Sequence, residues 1–156
     1  MKPNQTIIDG TNYIPQAKAL VMEYAERLGR DLSFQNIEAE LEDLSVKYTP
    51  PEGEILVAID ENKRVLGMVA YHRHDAKRCE MKRLYVKPES RGLHLGEALV
   101  GKIIARAKIA GYQEMVLDTI VPFQAAIGIY KKYGFVECEP YYDNPMDDVI
   151  YMVKQL

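Results

Sequence analysis

The run CEMKRLYVKPESRGLHLGEALVGKIIARAKIAGYQEMVLDTI, residues 79–120, constrains this chain more than any other stretch. It opens on a β-rich segment, Cys79 to Val86, that ends at Lys87-Pro88. An apolar stripe of Leu95, Leu99 and Ile103 at helical spacing then runs to about Ala110, with Gly111 as its stop. MVLDTI, residues 115–120, follows as a buried strand. Strand, helix, strand in this order is one right-handed crossover between parallel strands, and the loop at the carboxyl end of its first strand is where ligands bind in such sheets. Gly92 and Gly96 bracket the start of the helix, so backbone N–H groups and the positive helix end would point out of this loop together. That suits a pyrophosphate, although two glycines also fit an ordinary strand-to-helix turn. Neither the triphosphatase loop nor Gly-x-Gly-x-x-Gly can be read from it.

The flanking sequence fills in the architecture. QTIIDG reads as a first strand, and Tyr13–Gly29 as a helix with Ile14, Ala17, Leu20, Val21, Tyr24 and Leu28 on one face. Asp31-Leu32-Ser33 offers a cap for a second helix reaching about Leu44. EILVAID and RVLGMVAYH read as a hairpin turning at Glu61-Asn62-Lys63. Residues 123–133 read as a short helix, and 135–139 and 149–153 as closing strands. The order predicts one domain over residues 1–156, of mixed α/β class: a central, mostly antiparallel twisted sheet of about seven strands with helices on both faces.

No apolar run is long enough to cross a bilayer and no targeting peptide is visible, so the sequence predicts a cytoplasmic protein with no membrane partner. Cys79 and Cys138 sit in apolar contexts without metal-ligand spacing and read as buried reduced thiols. The net charge of -3 argues against a general nucleic-acid binder, yet it hides blocks of -5 over residues 1–75, +6 over 76–132 and -4 over 133–156. The basic block surrounds the glycine loop and fits a small polyanionic ligand, while the acidic flanks favour a cationic acceptor.

Two motifs carry a family resemblance over nearly the whole length. LYVKPESRGLHLGEAL resembles the strand, turn and pyrophosphate loop of the GNAT superfamily of acyl-coenzyme A dependent N-acetyltransferases, with pattern Gln/Arg-x-x-Gly-x-Gly/Ala. Arg91 opens it and Gly96 closes it, while His94 replaces the middle glycine. AAIGIYKKYGF, residues 125–135, resembles the family's Ala-x-x-x-Tyr-x-x-x-Gly-Phe helix and turn, with Tyr130 at the tyrosine; Phe123 stands where an asparagine often precedes that helix.

The resemblance implies acetyl-CoA as cosubstrate, with no metal, and direct attack by a primary amine on the thioester. The acceptor would be a small-molecule or peptide amine; a non-catalytic acyl-CoA-binding or regulatory module is the alternative. Backbone N–H groups of Leu84, Tyr85 and Val86 would then serve the acetyl and pantetheine arm. Those of Arg91, Gly92, Leu93, His94, Leu95 and Gly96 would serve the pyrophosphate. Tyr130 would protonate the departing thiolate, although its place on a helix stripe equally fits a core tyrosine. On a period-two strand Glu80 shares the face of Val86, with Lys82 and Leu84 between. It is either a general base or an ion-pair partner of Lys82. His72 and His74 read as solvated strand-end histidines rather than metal ligands. Tyr141 to Pro145 and Ser33 to Gln35 either line the acceptor pocket or serve as turns. Pairing through the last strands would make a homodimer.

Overall fold

Glu54–Ile59 and Val65–Arg73 are apolar and β-branched runs joined by a turn in which Lys63 takes φ 63°, so they pair as antiparallel neighbours. In the computed structural model, which describes residues 4–30, 37–42 and 44–156, they are β2 and β3 of a seven-stranded sheet. The other strands are β1 (Thr6–Asp9), β4 (Arg78–Val86), β5 (Glu114–Ile120), β6 (Val136–Glu137) and β7 (Val149–Gln155). Their spatial order is β1-β2-β3-β4-β5-β7-β6. Every pairing is antiparallel except β4 with β5, where the crossover read from the sequence joins parallel strands.

The helices are α1 (Ile14–Leu28), α2 (Ile37–Glu42), α3 (Leu44–Lys47), α4 (Leu95–Ile109) and α5 (Gln124–Lys132). On one face of the sheet, Leu95, Leu99, Val100, Ile103 and Ala107 of α4 and Tyr130 of α5 pack on Val69, Met81 and Leu117. On the other, Ala17, Leu20 and Val21 of α1, Ile37 of α2 and Leu44 of α3 pack on Val57, Met68 and Tyr85. Each fully buried aliphatic side chain contributes about 1.5–3 kcal/mol, so the two apolar layers hold the helices to the sheet from both sides. The mixed fold expected from the order of elements is the one found. Among the described residues no helix is long and apolar enough to cross a membrane.

Two expectations change in detail. The segment read as one second helix contains two short ones, and its expected cap at Asp31 to Ser33 lies outside the described residues. The strand expected over 135–139 has only two residues, both exposed, because Phe135 leaves the ladder to fill the core at 2% exposure.

Candidate active site

β4 and β5 pair only from Arg78↔Glu114 to Glu80↔Val116, whereas β5 continues along β7 over its full length. Past Glu80 the two parallel strands therefore separate. The gap is a cleft of about 90 Å³, lined by Lys82 and Leu84 of β4, Asp118 and Thr119 of β5, Tyr24 of α1 and Tyr130 of α5. It opens where backbone polar groups of β4 have lost their parallel neighbour, so an extended ligand can pair with them.

A bulge sets which side chains reach this cleft. Ala70 faces Lys82 and Met68 faces Tyr85, so Val69 alone opposes Arg83 and Leu84, and Arg83 takes φ 62°. The extra residue reverses the alternation. Cys79 and Met81 pack on the α4 side, and so do Leu84 and Val86. Tyr85 packs on the α1 side, where its hydroxyl donates to Glu23. The sequence expectation that Glu80 shares the face of Val86 fails for this reason.

Glu80 is buried, and both its oxygens are occupied: His72 Nε2 donates to one at 2.7 Å and the Tyr141 hydroxyl donates to the other. Burial pushes the carboxyl up, but His72, the charge of Lys82 and Tyr141 outweigh it and hold it at about 2. His72, not the expected Lys82, is the hydrogen-bonded partner. His72 is thus no solvated histidine. His74 stacks edge-on against Tyr141 with ring centroids 5.1 Å apart. Among the described residues no His, Cys, Asp or Glu cluster could hold a metal.

The glycine loop lies at the far end of β4. After a single 3₁₀ turn at Pro88–Ser90, Gly92 takes φ 91° and His94, at the N-cap of α4, takes φ 59° and ψ 26°. No side chain caps the helix, and its first backbone bond runs from the Ala98 N–H to the His94 carbonyl. The amides from Gly92 to Glu97 thus keep the free-donor character of a helix N-terminus, while the Arg91 N–H donates to the Pro88 carbonyl at 3.3 Å. Arg91, Gly92 and His94 are exposed, Leu93 and Gly96 half-buried, and Leu95 anchors the helix in the core at 1% exposure. Glu97, the acid in the first turn, is neutralised by Lys132 of α5 at 2.8 Å. What remains is a positive, donor-rich helix N-terminus suited to phosphate oxygens.

Tyr130 is 7% exposed and packs edge-on against Phe135 at 5.9 Å. Its hydroxyl makes no hydrogen bond among the described residues while its ring lines the cleft. Burial, reinforced by Tyr24 and Asp118, pushes the phenol above its ordinary value, so it stays protonated near neutral pH.

Sequence reasoning passed over Asp118. The signal was there, an acid inside the strand EMVLDTI, after the apolar run Met115 to Leu117. One oxygen of Asp118 accepts from the Tyr142 hydroxyl and from the Asn144 amide at 2.7 Å. The loop from Tyr141 to Met146 is fixed further by the Tyr151 hydroxyl, which donates to the Tyr142 carbonyl at 2.9 Å. It is clasped to the end of α1 by Arg30, which forks onto Asp148 at 2.7 and 2.9 Å. Asn144 and Met146 reach the cleft. Tyr141 and Tyr142 line a neighbouring recess of about 180 Å³ with Lys47, His72, His74 and Lys82. The other segment expected here, Ser33 to Gln35, lies outside the described residues.

Cys79 is fully buried, and burial pushes its thiol to about 12, so it is no nucleophile; Cys138 is half-buried rather than buried.

The model of the acetyltransferase (GNAT) family matches residues 18–135. The chain is 48% identical to an uncharacterized N-acetyltransferase of Schizosaccharomyces pombe, over 97% of this chain and 96% of that one. Its fold is similar to the crystal structure of an acetyltransferase from Streptococcus agalactiae, with TM-score 0.81 and 21% identity over 99% of this chain and all of that one. It is also similar to a GNAT family acetyltransferase from Elizabethkingia anophelis with acetyl-CoA bound, with TM-score 0.70 and 23% identity over 99% of this chain and 100% of that one.

Proposed function

The chain belongs to the acetyltransferase (GNAT) family, and from that premise we propose that this N-acetyltransferase moves an acetyl group from acetyl-CoA to a primary amine by direct attack on the thioester. The observation that carries the reading is the cleft itself, which is bounded by the free edge of β4, by Tyr130 and by Asp118. The pyrophosphate would rest on the amides of Arg91 to Gly96 at the start of α4. The pantetheine arm would extend the sheet along the amides of Leu84, Tyr85 and Val86, where β5 has departed. The acetyl-CoA held by a structural neighbour supports the cosubstrate.

In the reaction the amine lone pair forms the C–N bond, the C–S bond breaks, and two protons move. Asp118 receives one from the nitrogen through its less engaged oxygen. Tyr130 gives one to the departing sulfur, a transfer from a phenol to a thiolate that a held geometry makes efficient. Glu80 acts as a positioning residue: its contacts with His72 and Tyr141 engage both oxygens and hold the Tyr141 loop against the sheet.

The test is thiol release from acetyl-CoA with a broad amine panel, products identified by mass spectrometry, beside calorimetry of CoA binding to the parent and Gly96→Glu. A Cβ at Gly96 meets Ile129 only at 3.6 Å, so this variant should fold. Turnover with at least one amine, and CoA affinity lost in Gly96→Glu, are expected. Unchanged affinity in Gly96→Glu would refute the phosphate placement, and an acetylated product that needs no amine would refute the reaction.

A further inference from the structure

Lys82 is 8% exposed, and among the described residues no acceptor lies within hydrogen-bonding or ion-pair distance of its ammonium. Its charged neighbours make their hydrogen bonds elsewhere, Asp118 through one oxygen only. Arg83 and Lys47 share Glu40, Glu80 is held by His72 and Tyr141, and Asp118 receives Tyr142 and Asn144. The side chain is buried while its ammonium opens on the cleft, and a cation so placed, stripped of much of its water and without a hydrogen-bond partner, is costly. Burial lowers its pKa and Arg83 and Lys47 add to that, while Glu80 and Asp118 oppose it. Such a group is retained at a cost to stability where function needs it.

Its position indicates the use. Lys82 lines both the reaction cleft and the adjoining recess, so the ammonium stands at the passage between them. The recess, at about 180 Å³, is larger than a single water needs. The tyrosine hydroxyls on its wall already donate to Glu80 and Asp118, and the Glu80 oxygens are occupied. Of the charged side chains on that wall, Lys47, Glu80 and Lys82, only Lys82 makes no hydrogen bond or ion pair among the described residues.

We propose that the acceptor is a small amino-acid-like amine whose carboxylate seats on Lys82 in the recess while its amine lies in the cleft beside Asp118 and Tyr130. This rests on the acetyl-transfer reading. A single negative charge suits the site better than a phosphate dianion, because Glu80 and Asp118 both lie close enough to act on Lys82 and would repel a second charge. The cationic acceptor suggested by the acidic flanks would meet the ammonium directly.

The experiment compares the common L-amino acids, their carboxamides and spermidine, by thiol release and by thermal shift with CoA present, on the parent, Lys82→Met and Lys82→Arg. Lys82→Met keeps an aliphatic chain in place of an unpaired charge and should fold. At least one amino acid should exceed its carboxamide in kcat/KM by about tenfold or more. Lys82→Met should erase that preference through KM, and Lys82→Arg should keep part of it. Equal rates for carboxylate and carboxamide, faster turnover of spermidine, or an unaltered preference in Lys82→Met would overturn the proposal. If no amine is acetylated at all, the transfer reading fails and the thermal shift decides this one. Amino acids that stabilise the parent more than carboxamides do, but not Lys82→Met, support it; equal shifts overturn it.

Discussion

Glu40→Gln isolates the ion pair that fixes the bulge of β4. The Glu40 carboxylate receives Arg83 Nε at 2.8 Å and its terminal amine at 3.2 Å, with the two side chains 2% and 3% exposed. Burial pushes Glu40 up, but Arg83 and Lys47 hold it at about 2, against an ordinary 4.5. At about 1.4 kcal/mol per pH unit, that depression corresponds to about 3 kcal/mol of stability at neutral pH. Removing one partner of a buried pair costs about 3–5 kcal/mol by general experience, so the two routes agree. Glutamine keeps the shape and removes the negative charge that faces the guanidinium, and for a chain of 156 residues the melting temperature should fall by about 6–12 °C. Because the folded pKa is depressed, the contribution is complete above the unfolded value of 4.5 and fades as pH falls through about 2. Urea melts of parent and variant should therefore differ by about 3 kcal/mol at pH 7 and by roughly half that at pH 3. A gap below about 1 kcal/mol at pH 7, or one that does not change with pH, would refute the electrostatic account.

Three further outcomes are expected. Tyr130→Phe should lower kcat and kcat/KM alike by about 10²- to 10⁴-fold, with the melting temperature nearly unchanged because its hydroxyl gives up no hydrogen bond; steady-state kinetics and a thermal melt check this. His94→Gly relieves a left-handed backbone at φ 59° and should stabilise the fold by about 0.5–1 kcal/mol in urea melts, while calorimetry finds CoA affinity within a few-fold of the parent. Asp118→Asn keeps an acceptor for Tyr142 and Asn144 and should reduce kcat/KM by about 10²-fold or more with the melting temperature near that of the parent; steady-state kinetics and a thermal melt read it.

The crossover was legible because every part of it announces itself locally. A β-rich run ends at proline, glycines flank a helix start, Gly111 stops the helix at φ 98°, and MVLDTI is apolar enough to be buried on both faces. Seven strands and the parallel pair followed from that order. The bulge was illegible, since nothing in KRLYV departs from strand composition: Arg83 at φ 62° is stabilised by Glu40, a partner 43 residues away. From that single hidden residue came the misplacement of Glu80. His72 was misread for a related reason. Its partner lies across the β3–β4 register, where His72 faces Glu80, and a pairing of that kind appears only once the sheet is assembled. Asp118 left a visible trace, an acid in a buried strand, but its role depends on Tyr142 and Asn144 arriving from a loop beyond α5.

The bulge also bears on why one cleft can hold two substrates. Before it, β4 presents Glu80 and Lys82 to the recess and cleft on the α1 side. After it, Leu84 and Val86 pack toward α4, whose N-terminus carries the glycine loop. A strand with unbroken alternation would put Glu80, Lys82, Leu84 and Val86 on one face, where a recess for the acceptor and the apolar support of a cofactor arm would compete for the same space. One inserted residue separates them, so in the proposed reaction an acceptor and an acyl donor would enter from opposite sides of the sheet and meet where β4 and β5 part. Cys79, the thiol nearest in sequence, points into the core with its pKa raised by burial, so it offers no nucleophile to the cleft, in keeping with the proposed direct transfer.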